Sequence, residues 1–124
     1  MIDIHTFLWF AESNPQLSKK AKKIIENMGN GIFISVASLW EIAIKISTGK
    51  LILQFRFENM PLILETYQFS VLPIRFEHTL KVSSLNFHHR DPFDRIIIAQ
   101  SLTENMTIVG KDRHFDKYGV DIIW

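Results

Sequence analysis

Cysteine is absent from this 124-residue chain, and so are a strong excess of either charge, a long uninterrupted apolar run and any repeat or linker-like tract. Without thiols there are no disulfides, thiolate nucleophiles or zinc–thiolate sites, a composition that fits an intracellular, cytoplasmic protein. Fourteen Lys and Arg stand against 13 Asp and Glu, for a net charge of +1. Any nucleic-acid surface must therefore come from local clustering rather than from an overall polycation. No apolar stretch approaches the roughly 18 residues of a membrane span, so no membrane association is expected. The opening "MIDIHTFLWF" carries Asp3 and His5 and lacks a basic leader, so it does not read as a signal peptide. What is present, 47% apolar and 22% charged residues, is ordinary for one folded domain covering 1–124.

Along the chain, short β-branched runs alternate with amphipathic segments. "MIDI" predicts a very short strand, and "TFLWFAES" a helix opening at Thr6 and breaking near Asn14 and Pro15. "LSKKAKKIIENMGNG" predicts a helix capped by Ser18 and closed by Gly29. "IFISV" predicts a buried strand, and "SLWEIAIKISTGK" a helix with Ser38 as N-cap, Glu41 as its capping-box partner and Gly49 as terminator. An irregular "LILQFRF" precedes a helix over "ENMPLILETYQF", a strand over "SVLPI" and a helix over "FEHTLKVSSL". "DPFDRIIIAQSLTEN" opens with Asp91 as N-cap and Pro92 at the first helical position, and ends at Asn105. "TIVG" and "VDIIW" predict the last strands, with a loop or short helix between them. Four- and five-residue strands separated by helices predict an α/β fold with a parallel sheet covered on both faces.

In such a sheet, ligands gather at the carboxyl ends of the strands. Asp3, Glu41, Asp94 and Asp112 come from four distant segments and all map to strand ends or helix starts. Each has a structural alternative. Asp3 could be a polar terminus, Glu41 a partner of Ser38 and Lys45, Asp94 a contributor to its own helix cap, and Asp112 a turn residue. Taken together, converging carboxylates repel one another and call for a cation. Oxygen ligands favour Mg²⁺, with Mn²⁺ as the other candidate, over zinc. The corresponding chemistry is metal-assisted phosphodiester hydrolysis.

The stretches "DIHTFLW", "SVASLWEIAIKISTGKL", "LPI", "LNFHHRDPFDRIIIAQSL" and "KDRHFDKYGVDIIW" run nearly end to end. Their combination resembles the PIN-domain ribonucleases, specifically the VapC-like toxins of type II toxin–antitoxin systems. The resemblance implies a single three-layer PIN domain, with a short central parallel sheet flanked by helices. It also implies a Mg²⁺- or Mn²⁺-dependent endoribonuclease that hydrolyses RNA with a metal-activated water. By that resemblance Asp3, Glu41, Asp94 and Asp112 are the catalytic, metal-holding acids, with Asp91 as an accessory candidate. Arg90, Arg95, Lys111 and Arg113, beside the acids, are candidate phosphate contacts; as charged residues they read equally well as a solvated face. His5, His88 and His89 are read as substrate contacts or local hydrogen-bond partners rather than metal ligands.

A cognate antitoxin and a homodimer are the implied protein partners. Phe55, Phe57, Met60 and Leu64 are candidates for a groove that receives an amphipathic antitoxin segment, although each reads individually as core. Two positions depart from the subgroup's pattern. Ile4 stands where Thr usually follows the first Asp, and Gly110 where Thr or Ser usually precedes the fourth acid by two residues. Losing both hydroxyls motivates an alternative, a catalytically weakened PIN-fold module that binds RNA or its antitoxin.

Overall fold

The computed structural model describes residues 1–124. Its sheet is built from very short strands, as the scattered β-branched runs predict. β1 (Ile32–Ser35) pairs in parallel with β2 (Phe69–Leu72), Ile32 facing Phe69 and Ser35 facing Leu72. Parallel β3 (Ile108–Val109) and β4 (Ile122–Ile123) form the other half. Ile2 joins the halves by bridging to both Ile34 and Val109. The first strand is thus a single bridging residue, flanked by hydrogen bonds from the Ile2 N–H to the Phe33 carbonyl and from the Val109 N–H to the Met1 carbonyl.

Alternation along these strands divides the core in two. Ile2, Ile32, Ile34 and Val109 face one cluster, with Ile4, Phe7, Ala21, Ile25, Ile42, Met60 and Leu64. Met1 and Ile108 face the other, with Ile97, Ile98, Phe115 and Val120. Helices on both faces of a mostly parallel sheet make the three-layer α/β architecture expected.

Local chemistry sets the helices. α1 (Ile4–Ala11) starts two residues earlier than Thr6, because Asp3 itself is the N-cap. α2 (Lys19–Glu26) is capped by the Ser18 hydroxyl and buries Ala21 and Ile25; the chain leaves the helix at Asn27, before Gly29. α3 (Val36–Ser47) starts at Ser35, whose hydroxyl accepts from the Ala37 N–H at 3.1 Å. The expected Ser38–Glu41 capping box is therefore not formed. Ser38 lies inside the helix, and Glu41 sits in its second turn rather than its first. α4 (Met60–Thr66) follows a 3₁₀ turn and is shorter than predicted, since Phe69 belongs to β2.

α5 (Phe76–Ser84) is fixed by the buried His78, whose Nδ1 accepts from the Arg75 N–H. The other ring nitrogen donates to Glu104, at the end of α6. α6 (Pro92–Glu104) carries the expected Asp91 cap and Pro92 start, and closes on Asn105 in the left-handed conformation. No helix is long and apolar enough to cross a membrane.

Candidate active site

Each sequence-predicted acid is delivered by a cap or an early helical turn. Asp3, 4% exposed, follows Ile2 and uses Oδ1 to accept the Thr6 N–H at 2.7 Å. Glu41 is buried on α3, with the Lys45 ammonium 3.7 Å away. Asp91 spends Oδ1 on the Phe93 and Asp94 N–H groups, which makes it the helix cap and leaves it exposed. Asp94, in the first turn, accepts from the His89 ring at 3.3 Å. Asp112 heads the 3₁₀ turn Arg113–Tyr118, and its Oδ1 accepts from the N–H and the ring of His114 at 2.8 and 2.7 Å.

Burial and neighbouring charges shift all four acids from their ordinary values. Burial raises the pKa of Asp3; the adjacent Thr6 hydroxyl and N–H restrain the rise, and the Asp112 charge adds to it. Burial likewise raises Glu41, against Lys45 and with repulsion from Asp91 and Asp94. Asp94 is raised by burial, then by Asp91 and Asp112, with His89 opposing. Asp112 alone moves down: burial pushes it up, but the two His114 hydrogen bonds and the His114 and His89 charges outweigh that push. The acids therefore form an interacting series, Asp3 to Asp112 to Asp94 to Glu41.

No three Asp, Glu or His side chains form a ready-made ion cage in this arrangement. The donor chemistry nonetheless fits a hard divalent cation. Such ions accept carboxylate oxygens, commonly take only one or two of them directly, and keep water elsewhere. Positive charge at this position would also offset the burial, and the smaller mutual repulsion, that raise three of the four acids.

Several side chains lie otherwise than the sequence predicts. Arg95 is turned inward and only 5% exposed. It donates to the carbonyls of Asn86 and Leu85 at 2.8 and 3.2 Å and to the Tyr118 hydroxyl at 3.3 Å, and it lies 4.2 Å over the Phe87 ring. It holds the segment before α6 and is not a phosphate contact; Arg90, Lys111 and Arg113 remain exposed. Met60 and Leu64 are core residues, whereas Phe55 and Phe57 are half-buried and line an apolar groove. Trp40 is 62% exposed, and its ring meets Phe93 edge-on at 5.3 Å.

His89 takes the local hydrogen-bond role. Its Nδ1 lies 2.8 Å from the Tyr118 hydroxyl, and its ring stacks at 5.8 Å on His114. Tyr118 and His114 escaped the sequence reading. The spacing of Asp112 and His114, suited to a side-chain-capped turn, was the only local signal for either. A cavity of about 300 Å³, lined by Asp3, His5, Trp9, Lys111 and Asp112, opens at the acids.

Short parallel strands between helices define an α/β domain, with Asp3 and Asp112 at caps and Asp94 and Glu41 on the helices α6 and α3. The chain belongs to the PIN domain family, whose sequence profile matches residues 1–121. PIN domains are generally nucleases, hydrolases of phosphodiester bonds, and generally use divalent metals. Among solved structures, the chain is similar to one in the crystal structure of VapBC2 from Rickettsia felis bound to a DNA fragment from the promoter. The TM-score is 0.70 at 15% identity, over 99% of this chain and 96% of that one, which establishes a shared fold. A comparison with curated proteins found no match.

The raised acids have a measurable consequence. In the folded, metal-free chain Asp94 holds its proton to a higher pH than in the unfolded chain, so folding takes up a proton between the two values. Stability from this group is fully present below the unfolded value near 4 and declines as pH rises through the folded one. In EDTA, Asp94→Asn is expected to become progressively more stable than the parent between pH 4 and 8, as thermal melts would show. A constant difference across that range would contradict the assignment.

Proposed function

We propose that this chain is a Mg²⁺- or Mn²⁺-dependent endoribonuclease, the toxin of a type II toxin–antitoxin pair, acting as a single PIN domain in the cytoplasm. The reading is carried by the PIN-family match together with the mutual electrostatic influence among Asp3, Glu41, Asp94 and Asp112. These four are assigned as the metal-holding catalytic acids. A bound divalent cation would supply Lewis-acid polarisation of the phosphate and lower the pKa of water at the site.

The chain's own residues set the rest. Asp91 fixes the start of α6 and with it the position of Asp94. Exposed Lys111 and Arg113, with Arg90, supply positive charge for the phosphates flanking the scissile bond. Trp40 and His5 offer exposed aromatic rings beside Glu41 and Asp3 for base stacking. The Lys111→Ala, Arg113→Ala double variant should raise KM several-fold near 0.1 M salt, leave kcat nearly unchanged and lower the salt slope of RNA binding by about one to two. Steady-state rates at several salt concentrations check this.

The likeness to a VapBC chain supports an antitoxin partner. The groove along Ile46, Leu51, Leu53, Phe55 and Phe57, beside an 89% exposed Ile52, suits an amphipathic segment of it. A homodimer is the further proposed assembly. The second reading, a weakened binding module, draws on Ile4, whose buried side chain fills the core where the subgroup carries a hydroxyl.

Purified protein incubated with a structured RNA, and with single-stranded DNA of the same sequence, in Mg²⁺ or Mn²⁺ separates the readings. RNA cleavage without DNA cleavage supports the ribonuclease. Binding of RNA without cleavage in either metal supports the module instead.

A further inference from the structure

Gly110 is occupied space in all but name. A Cβ built there would lie 2.4 Å from Asp3 Oδ2 and 2.9 Å from its carboxyl carbon, distances at which one of the two must move. Gly110 is not among the positive-φ glycines, so its backbone would accept alanine; the Asp3 carboxylate is what excludes a side chain. The other carboxylate oxygen belongs to Thr6, whose N–H holds Oδ1 at 2.7 Å. The Thr6 hydroxyl is fully buried and has no partner. An unpaired buried hydroxyl costs stability and calls for an explanation.

We propose that Thr6 and Gly110 are the positioning residues of Asp3. Gly110 leaves the volume into which Oδ2 turns, and the Thr6 hydroxyl is held in reserve beside the carboxylate for the charged, cation-occupied state. Thr6 thereby supplies from the first turn of α1 the hydroxyl that neither Ile4 nor Gly110 carries. The inference rests on the reading of the acids as a metal site.

The test measures Mn²⁺ binding to the whole chain without RNA, by calorimetry or electron paramagnetic resonance, alongside thermal unfolding in EDTA. Thr6→Val, which keeps the shape and removes the hydroxyl, should weaken Mn²⁺ binding about tenfold, at the lower end for groups that orient metal ligands. In EDTA it should melt no lower than the parent, because the unpaired hydroxyl is gone. Thr6→Ser should restore parental affinity, and Gly110→Ala should weaken binding as Thr6→Val does.

Parental affinity in both Thr6→Val and Gly110→Ala overturns the proposal, as does a Thr6→Val loss that Thr6→Ser fails to rescue. A weakened Thr6→Val that also melts lower in EDTA points to a merely structural threonine and overturns it too. Asp3→Asn reports on the underlying reading: if it and Asp94→Asn bind Mn²⁺ like the parent, the metal site itself is wrong, whatever Thr6 does.

Discussion

Asp94→Asn is expected to lower kcat/KM for RNA cleavage by about 10²–10³-fold while leaving the protein folded. The size follows from removing one charged group from the proposed metal site; a loss of about 3–4 kcal/mol corresponds to that factor. Folding survives because Asp91 supplies the α6 cap, through its bonds to the Phe93 and Asp94 N–H groups, and asparagine occupies the same volume at position 94. The substitution also removes one of the charges that raise Glu41. A loss of activity with an undiminished melting temperature in EDTA is therefore the expected pair of results. Asp3→Asn should behave similarly, since asparagine caps a helix about as well as aspartate and retains an oxygen for the Thr6 N–H. Steady-state kinetics and circular-dichroism melts on the same preparations check both. Cleavage at the parental rate in either variant would remove that acid from the catalytic set.

Arg95→Ala is expected to destabilise the fold by about 3 kcal/mol or more, lowering the melting temperature by roughly 10 °C or more. The guanidinium is a buried node. It donates to the carbonyls of Asn86 and Leu85 and to the Tyr118 hydroxyl, and packs over Phe87. Truncation leaves those acceptors without a donor and opens a cavity beneath the segment that carries His89 to Asp94. Because Tyr118 also meets His89, the loss reaches the candidate site through position rather than through phosphate binding. Arg95→Lys should recover only part of the stability, since an ammonium cannot span the same set of acceptors. Denaturant melts of the three proteins test this; an alanine variant as stable as the parent would contradict the buried-node role.

The contrast between Asp94 and Arg95 shows where sequence is informative here. Asp91 and Pro92 make a local cap, and so does Ser18, each within reach of its own helix; both are legible because the interaction spans three residues. The same cap places Asp94 in the first turn of α6, where the sequence expects it.

Arg95 was not legible, because whether a cation points to solvent or to distant carbonyls depends on packing against α5 and the turn at Tyr118. The Ser38–Glu41 spacing suggests a cap, but Ser35 captures the start of α3 as soon as β1 ends, and the spacing becomes incidental. "MIDI" reads as a strand, yet Asp3 is needed as a helix cap, so only Ile2 remains to bridge the sheet. Met60 and Leu64, groove candidates that each read individually as core, are core residues. Their burial comes from the β1 and β2 side of the core. Likewise, the cradle that Gly110 makes for Asp3 joins residues more than a hundred positions apart.

The central claim is that the four acids work through a divalent cation. It is tested most directly by measuring the rate of RNA cleavage after dialysis against EDTA and then during stepwise return of Mg²⁺. The account predicts no cleavage in EDTA and a saturable recovery with Mg²⁺ that Asp94→Asn does not share. Cleavage that persists unchanged in EDTA would contradict it.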